Sequence, residues 1–194
     1  MHVGLIHRPA GGVTRANRLK AMPVSLTYFS QSVRLHRDIP LTDINQYPDL
    51  AAAFHCWQQS VGQRAPRQVD PLALPKALLP YVMLLDLEAN PCRLRVRLAG
   101  TQVCAKYGAE LKGLTTDDFF SPSDAQCVVD AALKVAQFGI PSLAERQYVN
   151  LDGGLWSYVR LIAPLSRDGR KIDGFFKVLD PATLHNNAAL LAAE

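Results

Sequence analysis

Residues 92–120 read CRLRVRLAGTQVCAKYGAELKGLTTDDFF, and this stretch decides the fold. Arginine alternates with leucine or valine from 93 to 98, which is the period of a β-strand with one buried face. Gly100 breaks the alternation, and Thr101 can cap a short helix that Gly108 can end. A strand that leads directly into short, glycine-punctuated helices predicts a small cavity beside a sheet.

The sequence on either side of this stretch predicts an α+β domain. Asn90-Pro91 supplies a turn between two strands, and Ser121-Pro122 begins a longer helix after the glycine-marked ones. Five strands are predicted in all: 81–88, 93–98, 142–150, 155–163 and 171–179. Two strands, then helices, then three strands are typical of one antiparallel sheet with helices on one side.

The chain is predicted to divide into four segments: a basic, flexible N-terminal tail (1–44), a helix and proline-rich connector (45–80), a core (81–180), and a C-terminal tail or short helix (181–194). Residues 1–37 contain six basic side chains and no acidic one. The first convincing helix runs over 49–61. Translation from Met22 is an open alternative, because nothing in residues 1–21 looks necessary for folding.

Charge and hydropathy exclude several classes of protein. The net charge of +4 arises from the N-terminal tail, and the remaining 157 residues hold 15 basic and 17 acidic side chains. A nucleic-acid-binding face on the folded part is therefore not expected. No apolar run approaches the roughly 20 residues that cross a bilayer, so no membrane span is predicted. Four widely spaced cysteines fit no zinc or redox motif and favour reduced thiols in a cytoplasmic protein.

An enzyme is not expected from the motifs. His55 and Cys56 adjoin, but neighbours on a helix diverge by about 100°, so the two side chains do not form a nucleophile and base. The scattered Asp117, Asp118 and Tyr107 lack an orienting partner for acid–base chemistry. No dinucleotide fingerprint or phosphate loop is present.

The order of elements and three short motifs resemble a PAS domain. RVRLAGT at 95–101 and YGAELKG at 107–113 resemble the second strand and first helices of the PAS core, and APLSRDG at 163–169 resembles its last hairpin. The resemblance covers about 45–180. It implies a PAS-like five-stranded antiparallel sheet with helices on one face and an N-terminal helix on the other.

The region upstream of the core resembles a bacterial subfamily of single-domain PAS proteins. Trp57, Pro66-Arg67 and Asp70-Pro71 resemble the helix and connector of that subfamily. PAS domains are sensory or interaction modules that often enclose a small ligand and often dimerise. The resemblance implies a regulatory protein with a small-molecule ligand, a separate signalling partner and a homodimer. A ligand-free scaffold for protein–protein interaction is the alternative.

The resemblance leaves the cofactor unknown. The five histidines lie outside residues 81–180, which disfavours histidine-ligated haem in the core. Cys104 and Cys127 lack the setting of a flavin-reactive cysteine.

The resemblance and the strand alternation together suggest where a ligand would bind. The candidate residues of an apolar cavity between the helices and the sheet are Val96, Leu98, Tyr107, Phe119, Phe120, Val159, Leu161 and Phe176. On the opposite face, Trp156, Tyr158 and Phe175 are expected to meet Phe54 and Trp57. A packed core without a ligand is the open alternative, since apolar stripes usually pack against each other.

Overall fold

One antiparallel sheet organises the computed structural model, which describes residues 32–62, 65–149 and 154–187. Its strands are β1 (Ser32–Ile39), β2 (Val82–Ala89), β3 (Cys92–Ala99), β4 (Ser142–Val149), β5 (Leu155–Leu165), β6 (Gly174–Leu179) and the short β7 (His185–Asn187). The first six are ordered β1-β4-β5-β6-β2-β3, and β7 pairs with β5. The sheet is therefore antiparallel throughout, with β5 and β6 at its centre.

Helices cover both faces of the sheet. They are α1 (Pro48–Ser60), α2 (Thr101–Tyr107), α3 (Thr116–Phe119) and α4 (Pro122–Phe138), with 3₁₀ helices at Leu41–Gln46 and Lys76–Tyr81. We call the face beneath α2, α3 and α4 the inner face and the face beneath α1 the outer face. A separate hydrophobic cluster fills the space on each face.

Local signals account for the limits of α4. The Asp124 backbone N–H donates to the Ser121 side chain at 3.3 Å, and Pro122 occupies the first helical position. Gly139 ends the helix with φ 66°, a left-handed conformation that favours glycine. Ser121, Pro122 and Asp124 lie within four residues of one another, which is why the start of this helix could be predicted from the sequence.

The predicted architecture is confirmed, with one correction to the sheet. The fold is α+β and PAS-like, with α2–α4 on one face and the N-terminal helix α1 on the other. The sheet has six main strands rather than five, because β1 pairs with β4 along residues 32–39. That segment was predicted to belong to a flexible tail. Its partner strand lies more than 100 residues away, so no local pattern announces the pairing.

The two chain ends are described only in part. Residues 1–31, which include the segment before Met22, lie outside the described residues. In the segment predicted as a C-terminal tail or short helix, residues 185–187 form β7 instead of a helix, and 188–194 lie outside the described residues.

The predicted facing of β5 and β6 is wrong. Val159, Leu161 and Phe176 pack in the outer cluster beneath α1, whereas Trp156, Tyr158 and Phe175 belong to the inner cluster. The error has a physical source. Arg160 and Lys177 share the inner parity, and two charged positions make that side of the strands resemble a solvent face.

Candidate functional site

Three cations are buried side by side on the inner face of the sheet. Arg146 on β4 and Arg160 on β5 are each 4% exposed, and Lys177 on β6 is 9% exposed. In the strand register Arg146 lies opposite Tyr158 and Lys177 lies opposite Ile162, so each is a diagonal neighbour of Arg160. Diagonal positions in a sheet are separated by about 7–8 Å. We call Arg146, Arg160 and Lys177 the basic cluster.

Arg160 and Lys177 have neutral neighbours. Arg160 donates from Nη1 to the Ser142 backbone oxygen at 3.0 Å and to the Ser142 Oγ at 3.2 Å. The Lys177 Nζ lies 5.6 Å from the centre of the Tyr158 ring, which is within range of a cation–π interaction. No carboxylate of the described residues forms an ion pair with either cation. Their charge is therefore not neutralised within the described structure.

Arg146 is the member of the cluster that has a carboxylate neighbour among the described residues. Its Nη1 donates to the backbone oxygen of Glu145 at 2.9 Å, and its Nη2 lies 3.8 Å from Asp38 Oδ1. The Asp38 side chain is 69% exposed, so water screens the attraction. Asp38 thus offsets part of one charge at the edge of the cluster and leaves the interior positive.

Burial makes positive charge costly in this space. Desolvation, followed by the charge of the neighbouring Arg146, lowers the pKa of Arg160 to about 9. Desolvation also lowers the pKa of Lys177. The same two causes, burial first and then the charges of Arg146 and Arg160, lower the pKa of His36 on β1 to about 4. His36 is therefore neutral at physiological pH.

Aromatic side chains line the inner face next to the basic cluster. Trp156 lies at the centre, with its ring 4.6 Å from the Tyr158 ring and 4.9 Å from the Tyr107 ring. Tyr148 continues the group, and its hydroxyl lies 3.2 Å from His36 Nε2. Burial raises the pKa of Tyr107 and of Tyr148 well above the usual value. Their phenols are therefore protonated hydrogen-bond donors.

The inner face contains little empty space, but one opening leads to it. A void of about 20 Å³ lies against the basic cluster, and a second of about 20 Å³ lies among Val96, Tyr107, Phe119 and Phe120. Either void has room for about one water molecule. A larger cavity of about 220 Å³ lies between α4, β1 and β4. Arg146 and Ala131 line both this cavity and the first void, so the two spaces adjoin.

The largest described cavity lies on the other side of the sheet. A space of about 590 Å³ is bounded by the connector after α1 and by β2, β3 and β6. Its wall is mainly apolar, and Arg67, Arg97 and Arg167 contribute to it. Arg97 and Arg167 lie 3.6 and 3.9 Å from Asp86 Oδ1, so part of their charge is offset. We call this space the outer cavity.

The eight predicted cavity residues do not share one cavity. Four of them line the second inner void: Val96, Tyr107, Phe119 and Phe120. Leu98 and Phe176 line the outer cavity, while Val159 and Leu161 pack beneath α1. Leu98 changes face because the β2–β3 register shifts by one residue between Leu84 and Leu85. The basic cluster was absent from the prediction because buried cations are rare.

The described residues offer no metal centre, and His55 and Cys56 do not contact each other as a Cys–His pair. They contain no group of three or more histidine, cysteine, aspartate or glutamate side chains able to hold a metal ion. Cys56 Sγ donates to the Ala73 backbone oxygen at 3.0 Å, and burial raises the pKa of its thiol. His55 Nδ1 instead lies 3.1 Å from Gln58 Oε1, so the two neighbours diverge as the helical geometry predicts.

In the described part of the chain, no helix has the length and apolar character of a membrane span.

A family model described as PAS domain matches residues 46–179. The match begins just before α1 and ends with the last residue of β6, so it includes the basic cluster, both inner voids and the outer cavity. Strand β1 lies outside it. No curated protein and no solved structure matches the chain. The match covers most of the sequence, and the chain belongs to the PAS domain family.

Proposed function

We propose that this protein is a cytoplasmic sensory or regulatory module that binds a small ligand between α4 and the inner face of the sheet. A single observation carries the proposal, namely the burial of Arg146, Arg160 and Lys177 against one another. Buried charge is costly, and apolar residues of similar size often serve stability as well or better. A role in binding accounts for the cluster where a role in packing does not.

The cavity beside β1 supports this proposal as the route to the ligand site. It adjoins the void at the basic cluster through Arg146 and Ala131, and it opens to solvent between α4 and the β1 edge of the sheet. A ligand bound there would contact α4, whose last residue, Phe138, is exposed together with Ile140 just beyond the helix. Exposed apolar side chains of this kind suit contact with a signalling protein or a second copy of the chain.

A ligand-free scaffold remains the second candidate function. It is favoured by the small size of the inner voids, each about 20 Å³. In that case the buried cations would be stabilised by neutral neighbours, such as Ser142 beside Arg160 and the Tyr158 ring beside Lys177. The protein would then act through Phe138, Ile140 and other surface contacts alone.

Native mass spectrometry of the purified protein separates these functions. We expect wild type to retain a small molecule, and Ala131→Trp to lose it because the larger side chain fills the entrance. Ala105→Trp on the exposed side of α2 is the control and should retain the molecule. A wild type that carries nothing, and that gains no small molecule from a cell extract, would favour the scaffold.

A further inference from the structure

We propose that the ligand is a small oxyanion, held through a carboxylate or phosphate group by Arg146, Arg160 and Lys177. This inference rests on the proposed function, because it assigns a chemical class to the ligand of the same site. The basic cluster combines three properties of an anion site. Its cations are close together, they are buried, and two of them lack a carboxylate partner among the described residues.

The geometry of the donors fits an oxyanion. Three neighbouring strands present the cations on one face, at positions that the register makes diagonal neighbours. Both hydrogen bonds that Arg160 forms with the described residues leave from Nη1, so Nε and Nη2 remain for a ligand. A guanidinium presents its N–H groups in a fixed fork that suits the paired oxygens of a carboxylate or phosphate. The ammonium of Lys177 adds three donors without a fixed direction.

The other residues that line the void at the basic cluster carry no negative charge that would neutralise it. The part of α4 that packs over it contributes Val128, Ala131 and Ala132, which carry no charge. Among the described residues that line the void and the adjoining cavity, the acidic ones are Asp38 and Asp130 at the mouth of the cavity, where Lys134 accompanies them. An anion that passes this mouth therefore reaches a void whose charged lining residues, Arg146, Arg160 and Lys177, are all positive. The low polarity of the surroundings strengthens the attraction.

Two phenols complete the chemistry of the site. Tyr148 and Tyr158 line the same void as the three cations. Because burial keeps Tyr148 protonated, its hydroxyl is a donor rather than a competing anion. Neutral donors beside cations are the combination that holds an oxyanion after its water is removed.

The size of the entrance limits the ligand to small molecules. The adjoining cavity measures about 220 Å³. Pockets for drug-sized ligands measure about 300–1,000 Å³, so this cavity suits a smaller molecule. Succinate and inorganic phosphate are suitable probes, because they carry the two oxyanion groups in small molecules. Glycerol is a neutral probe of comparable size.

Thermal unfolding with these probes at constant ionic strength tests the inference. The variants are Arg160→Met and Lys177→Met, which remove one buried charge and keep much of the side-chain volume. We expect neither variant to unfold at a lower temperature without the probe, since a buried unpaired charge is itself costly. Lys76→Met is the matched control, because it removes one exposed charge from the 3₁₀ helix at the start of β2.

Succinate, phosphate or both should raise the melting temperature of wild type and Lys76→Met in a saturable manner. In Arg160→Met and Lys177→Met, the half-saturating concentration should rise about tenfold or more, the loss expected for a charge-assisted hydrogen bond. A response to succinate alone identifies a carboxylate ligand, and a response to phosphate alone identifies a phosphate ligand. No saturable response to either anion, or an equal response in all variants, would overturn the inference.

The inference and the proposed function can fail separately. Suppose that wild type retains a neutral or cationic molecule, that Ala131→Trp loses it and that Lys177→Met keeps it. The ligand site would then stand, and the oxyanion class would be refuted. A wild type that binds neither a retained molecule nor an anionic probe would contradict both.

Discussion

At the scale of single residues, Trp57 joins α1 to the sheet. Its ring is 8% exposed, and its Nε1 donates to the Pro164 backbone oxygen on β5 at 3.0 Å. The Phe54 ring stacks on it with centroids 6.0 Å apart. One side chain therefore supplies both apolar contact and a directed hydrogen bond between a helix and the centre of the sheet.

Replacement of Trp57 by alanine should destabilise the fold strongly. Truncation of a large buried aromatic side chain costs about 3–5 kcal/mol, and the Pro164 carbonyl would also lose its donor. Urea unfolding gives the change in the free energy of unfolding. Gln58→Ala, on the exposed side of the same helix, is the control. Equal stability of the two variants would mean that α1 is not anchored through Trp57.

His36 reports on the charge of the inner face. Arg146, Arg160 and Lys177 lower its pKa and Asp38 raises it, while burial is the largest cause of its value of about 4. Because this pKa lies below the ordinary value of 6.5, the unfolded chain binds the proton first. The contribution of His36 to stability is therefore complete above pH 6.5 and decreases as the pH falls from 6.5 towards 4.

An oxyanion at the basic cluster should raise the pKa of His36. The anion offsets the charges of Arg146 and Arg160, which oppose protonation of the imidazole. The measurement is an NMR titration of the His36 ring signals with and without saturating succinate or phosphate. The ring signals of His55, which is exposed on α1, should not respond to the anion. A pKa of His36 that is unchanged by a bound anion would place the anion elsewhere.

At the scale of elements, Gly100 determines how β3 leads into α2. A Cβ atom at this position would lie 2.3 Å from the Pro80 backbone oxygen, and the Gly100 backbone N–H donates to the Val82 oxygen at 2.8 Å. The glycine that breaks the arginine alternation in the sequence therefore allows two backbone segments to approach closely. No side chain fits between them.

Gly100→Ala should lower the stability by at least about 1–3 kcal/mol, the cost of overpacking a tight contact. Gly62→Ala is the matched control, since a Cβ at Gly62 would meet nothing within 4 Å. Thermal unfolding of both variants measures the difference. Similar melting temperatures would mean that the turn has room to relax.

Elements whose signals are local could be predicted from the sequence, and those that depend on distant partners could not. Ser121 and Pro122 fix the start of α4 within a few residues, as Gly108 fixes the end of α2. Strand β1 exists because it pairs with β4, and this partner is not visible from residues 32–39 alone. The shift that turns Leu98 to the outer face likewise depends on how β3 pairs with β2.

The candidate site was the least predictable part for a related reason. Val159 and Leu161 look like inward positions because they are apolar, and Arg160 between them looks like a solvent position. In this sheet both faces are covered, so hydrophobicity does not distinguish the two sides of β5. The alternation of Trp156, Tyr158 and Ile162 carried the correct parity, but Arg160 concealed it.

At the scale of the whole molecule, the sheet separates two spaces of different capacity. Val96 faces an inner void of about 20 Å³, whereas Leu98, two residues further along β3, faces the outer cavity of about 590 Å³. Leu98 is 45% exposed and Val96 is 1% exposed. The same enlargement of a side chain should therefore have different consequences at the two positions.

Val96→Trp should destabilise the protein by about 1–3 kcal/mol or more, because the inner face lacks space for an indole. Leu98→Trp should be tolerated, because the outer cavity can receive the added atoms. Urea unfolding of the pair provides the comparison, and each variant is the control for the other. A loss as large for Leu98→Trp as for Val96→Trp would mean that the outer cavity is not open to this side chain.

Strand β5 pairs with three other strands, more than any other described strand. It pairs with β4 on one side and with β6 and β7 on the other, and every residue from 158 to 165 is buried. Its amide protons should therefore be among the last to be replaced by deuterium when the protein is moved into heavy water. The edge strands β1 and β3 should exchange much earlier. Arg160 faces α4 from β5, and Val159 faces α1 from the same strand. Ligand binding on the inner face and the packing of α1 on the outer face therefore involve adjacent residues of one slowly exchanging strand.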